Sequence, residues 1–133
     1  MKRIILLAFL CTTTLVMAQR INHVQEAIAN YDYEAALTLI AKEKPTIPLL
    51  LQKGKAQRGL GMNTEALSTY QEIITNDTAN TRAYIEAAEC CRSLAKYQQA
   101  LKYYEQALDL NPENKYVRIQ YIGLLLSLQK FQD

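Results

Sequence analysis

Glu86 and Glu89 stand three residues apart on a stretch that reads as helix. That spacing puts both carboxylates on one face, where an acid and base pair would have to sit. Arg82 and Arg92 flank them at helical spacing, and the pattern therefore points to a solvated ion-pair network rather than to catalysis. Cys90 and Cys91 follow directly. Adjacent helical residues point about 100° apart, so this pair closes no ordinary disulfide there. A metal site would need two more ligands, and the one histidine, His23, stands apart beside Val24 and Glu26, where a surface or packing role is expected. The cysteines read as small apolar fillers of a helix interface. Cys91 fits that slot, whereas Cys90 remains open as a free thiol. Gly54, Gly59, Gly61 and Gly123 are isolated and build no phosphate-cradling loop. No catalytic set, metal set or small-molecule cofactor site is legible, and the chain does not read as an enzyme.

The chain has 133 residues, enough for one domain. Half of them are apolar and 21% charged, a balance that suits a packed domain. Good helix formers dominate, while four glycines and three prolines are few for a turn-rich β-sandwich. The formal charge of +2 comes from Lys2 and Arg3 alone, since the rest of the chain carries 13 basic and 13 acidic residues. No basic stripe interleaved with aromatics is present, so nucleic acid is not an expected partner.

Lys2 and Arg3 precede an apolar run over residues 4–10 and a weaker one over 11–17. Val16-Met17-Ala18 then offers side chains that a signal peptidase reads, with cleavage before Gln19. Residues 1–18 are expected to be a secretory signal. A membrane anchor needs about 20 apolar residues, and this run is shorter and carries three threonines. Lipidation at Cys11 is disfavoured by bulky Phe9 and Leu10 before it. The signal has a bacterial look and implies export to the periplasm or outer-membrane periphery, with membrane contact only through a partner.

The remaining chain repeats itself. Glu65-Ala66-Leu67-Ser68-Thr69-Tyr70 aligns with Gln99-Ala100-Leu101-Lys102-Tyr103-Tyr104, so that Ala66 falls on Ala100 and Tyr70 on Tyr104. The offset is about 34 residues, a period known for stacked helical hairpins. The unit over 81–114 is complete. Tyr84 takes a large aromatic place, Ala87 and Ala88 the adjoining small places, and Cys91 stands for the usual aromatic. Ala100, Tyr104 and Ala107 mark the second helix, and Asn111-Pro112 stops it. Asn114 is placed to cap the next helix. Ala88 and Ala100 mark the closest approach of two antiparallel helices, while Tyr84, Tyr104 and Leu108 fill the space toward the next pair. In the unit over 47–80, Leu50, Gly54, Gly61, Ala66 and Tyr70 match, and Pro48 suits a first helical turn. Ile73 replaces a small residue there, and Thr78 stands where proline is usual. The unit over 19–46 is degenerate: residues 31–37 read as a turn and the start of a second helix. Ala36 stands closer to Ala66 than Ala66 does to Ala100, so that hairpin must end early, near 42–45. A fourth unit over 115–133 is incomplete. Phe131 matches Tyr97 in register, which suggests the N-terminal piece of a longer protein.

These residues resemble the tetratricopeptide repeat family, and the resemblance implies an all-α, right-handed solenoid of antiparallel helical hairpins over 19–133. It also implies a protein or peptide partner, held by the outward residues of the first helices along a concave groove. Carried over, the groove would present Leu51, Gln52, Lys55 and Arg58 from one helix. The next would present Arg82, Ile85, Glu86, Glu89 and Arg92, and the last Tyr116, Ile119, Gln120 and Gly123. Arg58 and Arg92 would then pair with ligand carboxylates. Family members that clamp a terminal carboxylate use a Lys and Asn set, where this chain has Leu51 and Lys55. A binding scaffold is the leading expectation. A structural subunit of an outer-membrane or secretion assembly is an alternative, and so is the repeat region of an enzyme whose catalytic part lies beyond residue 133. Asp77-Thr78-Ala79 is similar to an acceptor for O-linked sugars in some exported bacterial proteins, but reads first as an ordinary loop.

Overall fold

The computed structural model describes residues 1–130, and of these the side chains of all but residues 3, 5–13 and 130. The register match of Phe131 with Tyr97 lies outside the described residues, as does the side chain of Cys11. Within them the chain forms seven helices and no strand: α1 Lys2–Ala29, α2 Tyr33–Ile40, α3 Ile47–Gly59, α4 Asn63–Asn76, α5 Thr81–Ser93, α6 Tyr97–Leu110 and α7 Lys115–Lys130. Successive helices pack as antiparallel hairpins, α1 with α2, α3 with α4 and α5 with α6, and α7 lies against α6.

Local chemistry sets the boundaries. Each first helix from α3 onward starts at a side-chain cap, and the caps recur at the period of the repeat. Thr46 Oγ1 accepts from the Leu49 N–H (3.5 Å), Asn80 Oδ1 from Ala83 (3.1 Å) and Asn114 Oδ1 from Val117 (3.2 Å). Each cap satisfies an amide that the first turn leaves unpaired. Asp32 does the same for Ala35 at the start of α2. The tight turn inside each hairpin passes through the left-handed region at Tyr31, Gly61 and Ala95. Only Gly61 adopts it without steric cost. The loop at Asp77-Thr78-Ala79 is held by Asp77, which accepts from the Ala79 N–H and from Asn80 Nδ2.

The main core runs from α3 to α7 and is built from the repeat positions. Ala66, Tyr70, Ala88, Ala100, Tyr104 and Ala107 are all buried, with Tyr84, Ala87 and Cys91 beside them. Gly54 is where a first helix lets an aromatic ring through: a Cβ there would lie 2.5 Å from Cζ of Tyr70. Ile73 is fully buried although its counterpart Ala107 is small, so the two hairpins pack this position differently. Pro112 is exposed in the turn after α6. A smaller core joins the first hairpin to α3 through Val24, Ile28, Ala36, Ile40, Leu49 and Ala56. α2 stops at Ile40, as the short step from Ala36 to Ala66 requires. Residues 14–20 of α1 are exposed. Among the described residues no helix is long and apolar enough to cross a membrane.

Both cysteines of α5 are fully buried and unpaired. Burial raises both thiols, that of Cys90 to about 12. Cys90 is therefore a free thiol and at the same time a core residue. A folded-state value raised above the ordinary 9.0 means stability that is complete below about pH 9 and lost as pH climbs toward 12. Tyr70 and Tyr104 are raised, chiefly by burial, and act in the same direction. The urea midpoint is expected to be level up to about pH 9 and to fall above it, less steeply in Cys90→Ala. A midpoint that does not move through the alkaline range would contradict this burial.

Candidate binding face of the first helices

The solvent-reaching faces of α3, α5 and α7 are tied together by a repeated rung. Arg58 on α3 forms an ion pair with Glu86 on α5. Arg92 on α5 donates to Oε1 of Gln120 on α7 at 2.6 Å. Arg92 and Gln120 each stand one full repeat beyond Arg58 and Glu86, so one geometry recurs across two steps. Burial works against the charge on Arg58, and Glu86 outweighs it, so its guanidinium is held above its ordinary range. Burial of both partners makes this more than a surface pair, although neither is fully desolvated.

Glu89 is the centre of a second cluster. One of its oxygens accepts from Tyr104 (2.6 Å) and Tyr116 (3.0 Å), and Arg92 approaches the other at 3.5 Å. Arg92 also donates to the Tyr104 hydroxyl at 3.4 Å. Burial first, then the bond to Glu89, raises the Tyr104 phenol, so it acts as a neutral donor at physiological pH. Three helices meet here, since Tyr104 comes from α6.

Of the ion-pair network expected from helical spacing, Arg92 with Glu89 forms, at 3.5 Å, whereas Arg82 with Glu86 does not among the described residues. Glu86 turns to Arg58 of the preceding first helix, which the fold brings within reach across the hairpins. Glu89 is taken by the tyrosines and Arg92. Among the described residues Arg82 is left exposed without an ion pair, and so is Lys55. Both line a hollow of about 540 Å³ between α3 and α5, with Arg58, Glu86, Tyr33 and Asn63. Three cations against one carboxylate leave this hollow positive. A second hollow of about 440 Å³ follows between α5 and α7, lined by Glu89, Arg92, Tyr97, Leu124 and Leu128.

Of the other residues assigned to the groove, Gln52 is half-buried. Leu51 and Ile85 are half-buried against the main core. Tyr116 and Ile119 are exposed, the latter to 67%, and Gly123 is open, with nothing near an added Cβ. Tyr33, Asn63 and Tyr97, the first residues of α2, α4 and α6, wall the hollows from the hairpin turns and are not among the residues expected from the sequence. Their signal was their equivalence: each follows a turn residue by two. Taken together, the face offers unpaired cations, exposed apolar side chains and polar walls, arranged along successive helices. Such a surface can hold an extended chain carrying carboxylates and apolar groups.

Comparison with known proteins places this geometry. A family model described as tetratricopeptide repeat matches residues 81–114. The curated Homo sapiens protein "Tetratricopeptide repeat protein 6" is 30% identical over 89 residues. That match covers 67% of this chain and 16% of the human protein, so the chain spans a small part of its relative's length. The first TPR of Spaghetti (RPAP3), solved bound to an HSP90 peptide, superposes with a TM-score of 0.79 at 20% identity, over 84% of this chain and 92% of that one. The Yersinia enterocolitica type III secretion chaperone SycD, solved with a peptide of the translocator YopD, gives 0.77 at 18% identity, over 89% and 95%. These two show the fold, a solenoid of helical hairpins. With the repeating unit, its caps and its buried Ala–Tyr pairs in place, the chain belongs to the tetratricopeptide repeat family.

Proposed function

We propose that this chain is a scaffold that holds an extended peptide, or an extended segment of a partner protein, along the face of α3, α5 and α7, and that it catalyses no reaction. The observation that carries this reading is the pair of unpartnered cations, Lys55 and Arg82, beside one hollow. They are the groups free to take ligand carboxylates, while Ile119 and Tyr116 meet apolar side chains. Arg58 and Arg92, engaged in rungs between helices, position the face instead. That similar folds have been solved with peptides bound supports the reading. The ligand class is an extended peptide of mixed acidic and apolar character. For a fluorescent peptide of that character, Lys55→Glu with Arg82→Glu should weaken binding at least about tenfold. Unchanged binding by the doubly reversed protein would move the site to another face.

The charged start, the apolar run and the exposed residues 14–20 further support export, with the periplasm or outer-membrane periphery as the place of action. N-terminal sequencing of the protein made in a bacterial host should find Gln19 first. An intact Met1 on a membrane-bound product would overturn this location.

A further inference from the structure

The first hairpin is shorter than the repeat, and the deficit leaves a cavity. α2 has 8 residues where α4 and α6 have 14 each. The chain leaves the helix after Ile40 and reaches α3 through a short loop, so no helical turn covers the adjoining part of α3. The space left open is about 310 Å³, at the small end of ligand pockets. Its walls are apolar: Leu37 and Ile40 from α2, Leu49 and Leu50 from α3, and Pro45 from the loop. It opens on a different face of α3 from Lys55 and Arg58, and is separate from the groove above.

The rim decides what fits. Glu43, Lys44 and Lys53 all border the cavity. Arg20 pairs with Glu43 at 2.7 Å and cancels its charge. Among the described residues Lys44 and Lys53 have no ion-pair partner, so the rim is positive above an apolar interior. Gln57 borders the cavity too, and its Oε1 accepts from Thr69 Oγ1 at 2.7 Å. The interior is mostly apolar, and the mouth favours an anion. We infer that this cavity binds a linear aliphatic carboxylate, with its tail among Leu37, Ile40, Leu49 and Leu50 and its head between the two lysines. The tail gains from leaving water, and the head stays at the surface where its desolvation is small.

The test uses the whole chain and decanoate, below its micelle-forming concentration, followed by methyl resonances and by calorimetry. Saturable shifts are expected at Leu37, Ile40, Leu49 and Leu50, with at least tenfold weaker binding for decanol, which has the tail without the charge. Lys44→Glu with Lys53→Glu, both at the rim, should weaken decanoate at least tenfold. Ala41→Trp should abolish binding by filling the mouth from an exposed position. Three results would overturn the inference. One is no saturable shift with decanoate; another is equal binding of decanoate and decanol. The third is binding only of a peptide ending in leucine with a free carboxylate, which would make the occupant a partner's C-terminus.

Discussion

Tyr104→Ala should cost about 3–5 kcal/mol of stability, the range for removing a large aromatic from a core. Its ring is fully buried between α5 and α6, where no neighbour can move in to fill the space. The variant also removes the 2.6 Å bond to Glu89 and leaves that carboxylate dependent on Tyr116 and Arg92. Tyr104→Phe separates the two effects. It keeps the ring and gives up the charge-assisted bond, and should cost about 1.5–3 kcal/mol. Urea titration followed by circular dichroism measures both. A Tyr104→Ala midpoint equal to that of the parent chain would remove this residue from the interior.

The second large effect is expected at Gly54, and it depends on the size of the replacement. A Cβ built there lies 2.5, 2.7 and 2.8 Å from three atoms of the Tyr70 ring. In the next unit the equivalent pair is Ala88 and Tyr104, which coexist in a hairpin of the same length. The backbone geometry therefore tolerates a methyl group after a small shift of the ring. Gly54→Ala also gains up to about 1 kcal/mol in helix propensity, and these opposed terms should leave it near neutral. Gly54→Leu has no such escape, because Tyr70 is itself buried, and should lose about 1–3 kcal/mol by overpacking. Ala100→Leu, at a position with no exposure, should lose a similar amount. A Gly54→Leu protein as stable as the parent would mean that α3 and α4 are not in close contact.

The repeat was legible because its signals are local or recur at one spacing. Ala66 and Ala100, Tyr70 and Tyr104, and the stop at Asn111-Pro112 each announce a place in a hairpin, and all fall where the helices require them. The early end of the first hairpin could be read from arithmetic, since Ala36 and Ala66 are too close for a full unit. The turns were only partly readable. Gly61 signals a left-handed residue, but Tyr31 and Ala95 adopt the same conformation without any such signal. The face itself was hardest to read. Helical spacing pairs Arg82 with Glu86, whereas the fold pairs Glu86 with Arg58, 28 residues earlier in the chain. Rules for neighbours on one helix cannot see a partner on another, so the charges left free for a ligand emerged only from the packing of α3 against α5. The buried state of Cys90 has the same origin, for its place depends on what α4 and α6 bring against α5.

On the proposed function, an extended acidic and apolar peptide lies along the face of α3, α5 and α7. Isotope labelling of the whole chain, with backbone and methyl resonances followed as such a peptide is added, tests it most directly. Saturable shifts are expected at Lys55, Arg82, Tyr116 and Ile119, with the exposed residues of α4 and α6 unmoved. Shifts concentrated on α4 and α6, with α3, α5 and α7 silent, would contradict it.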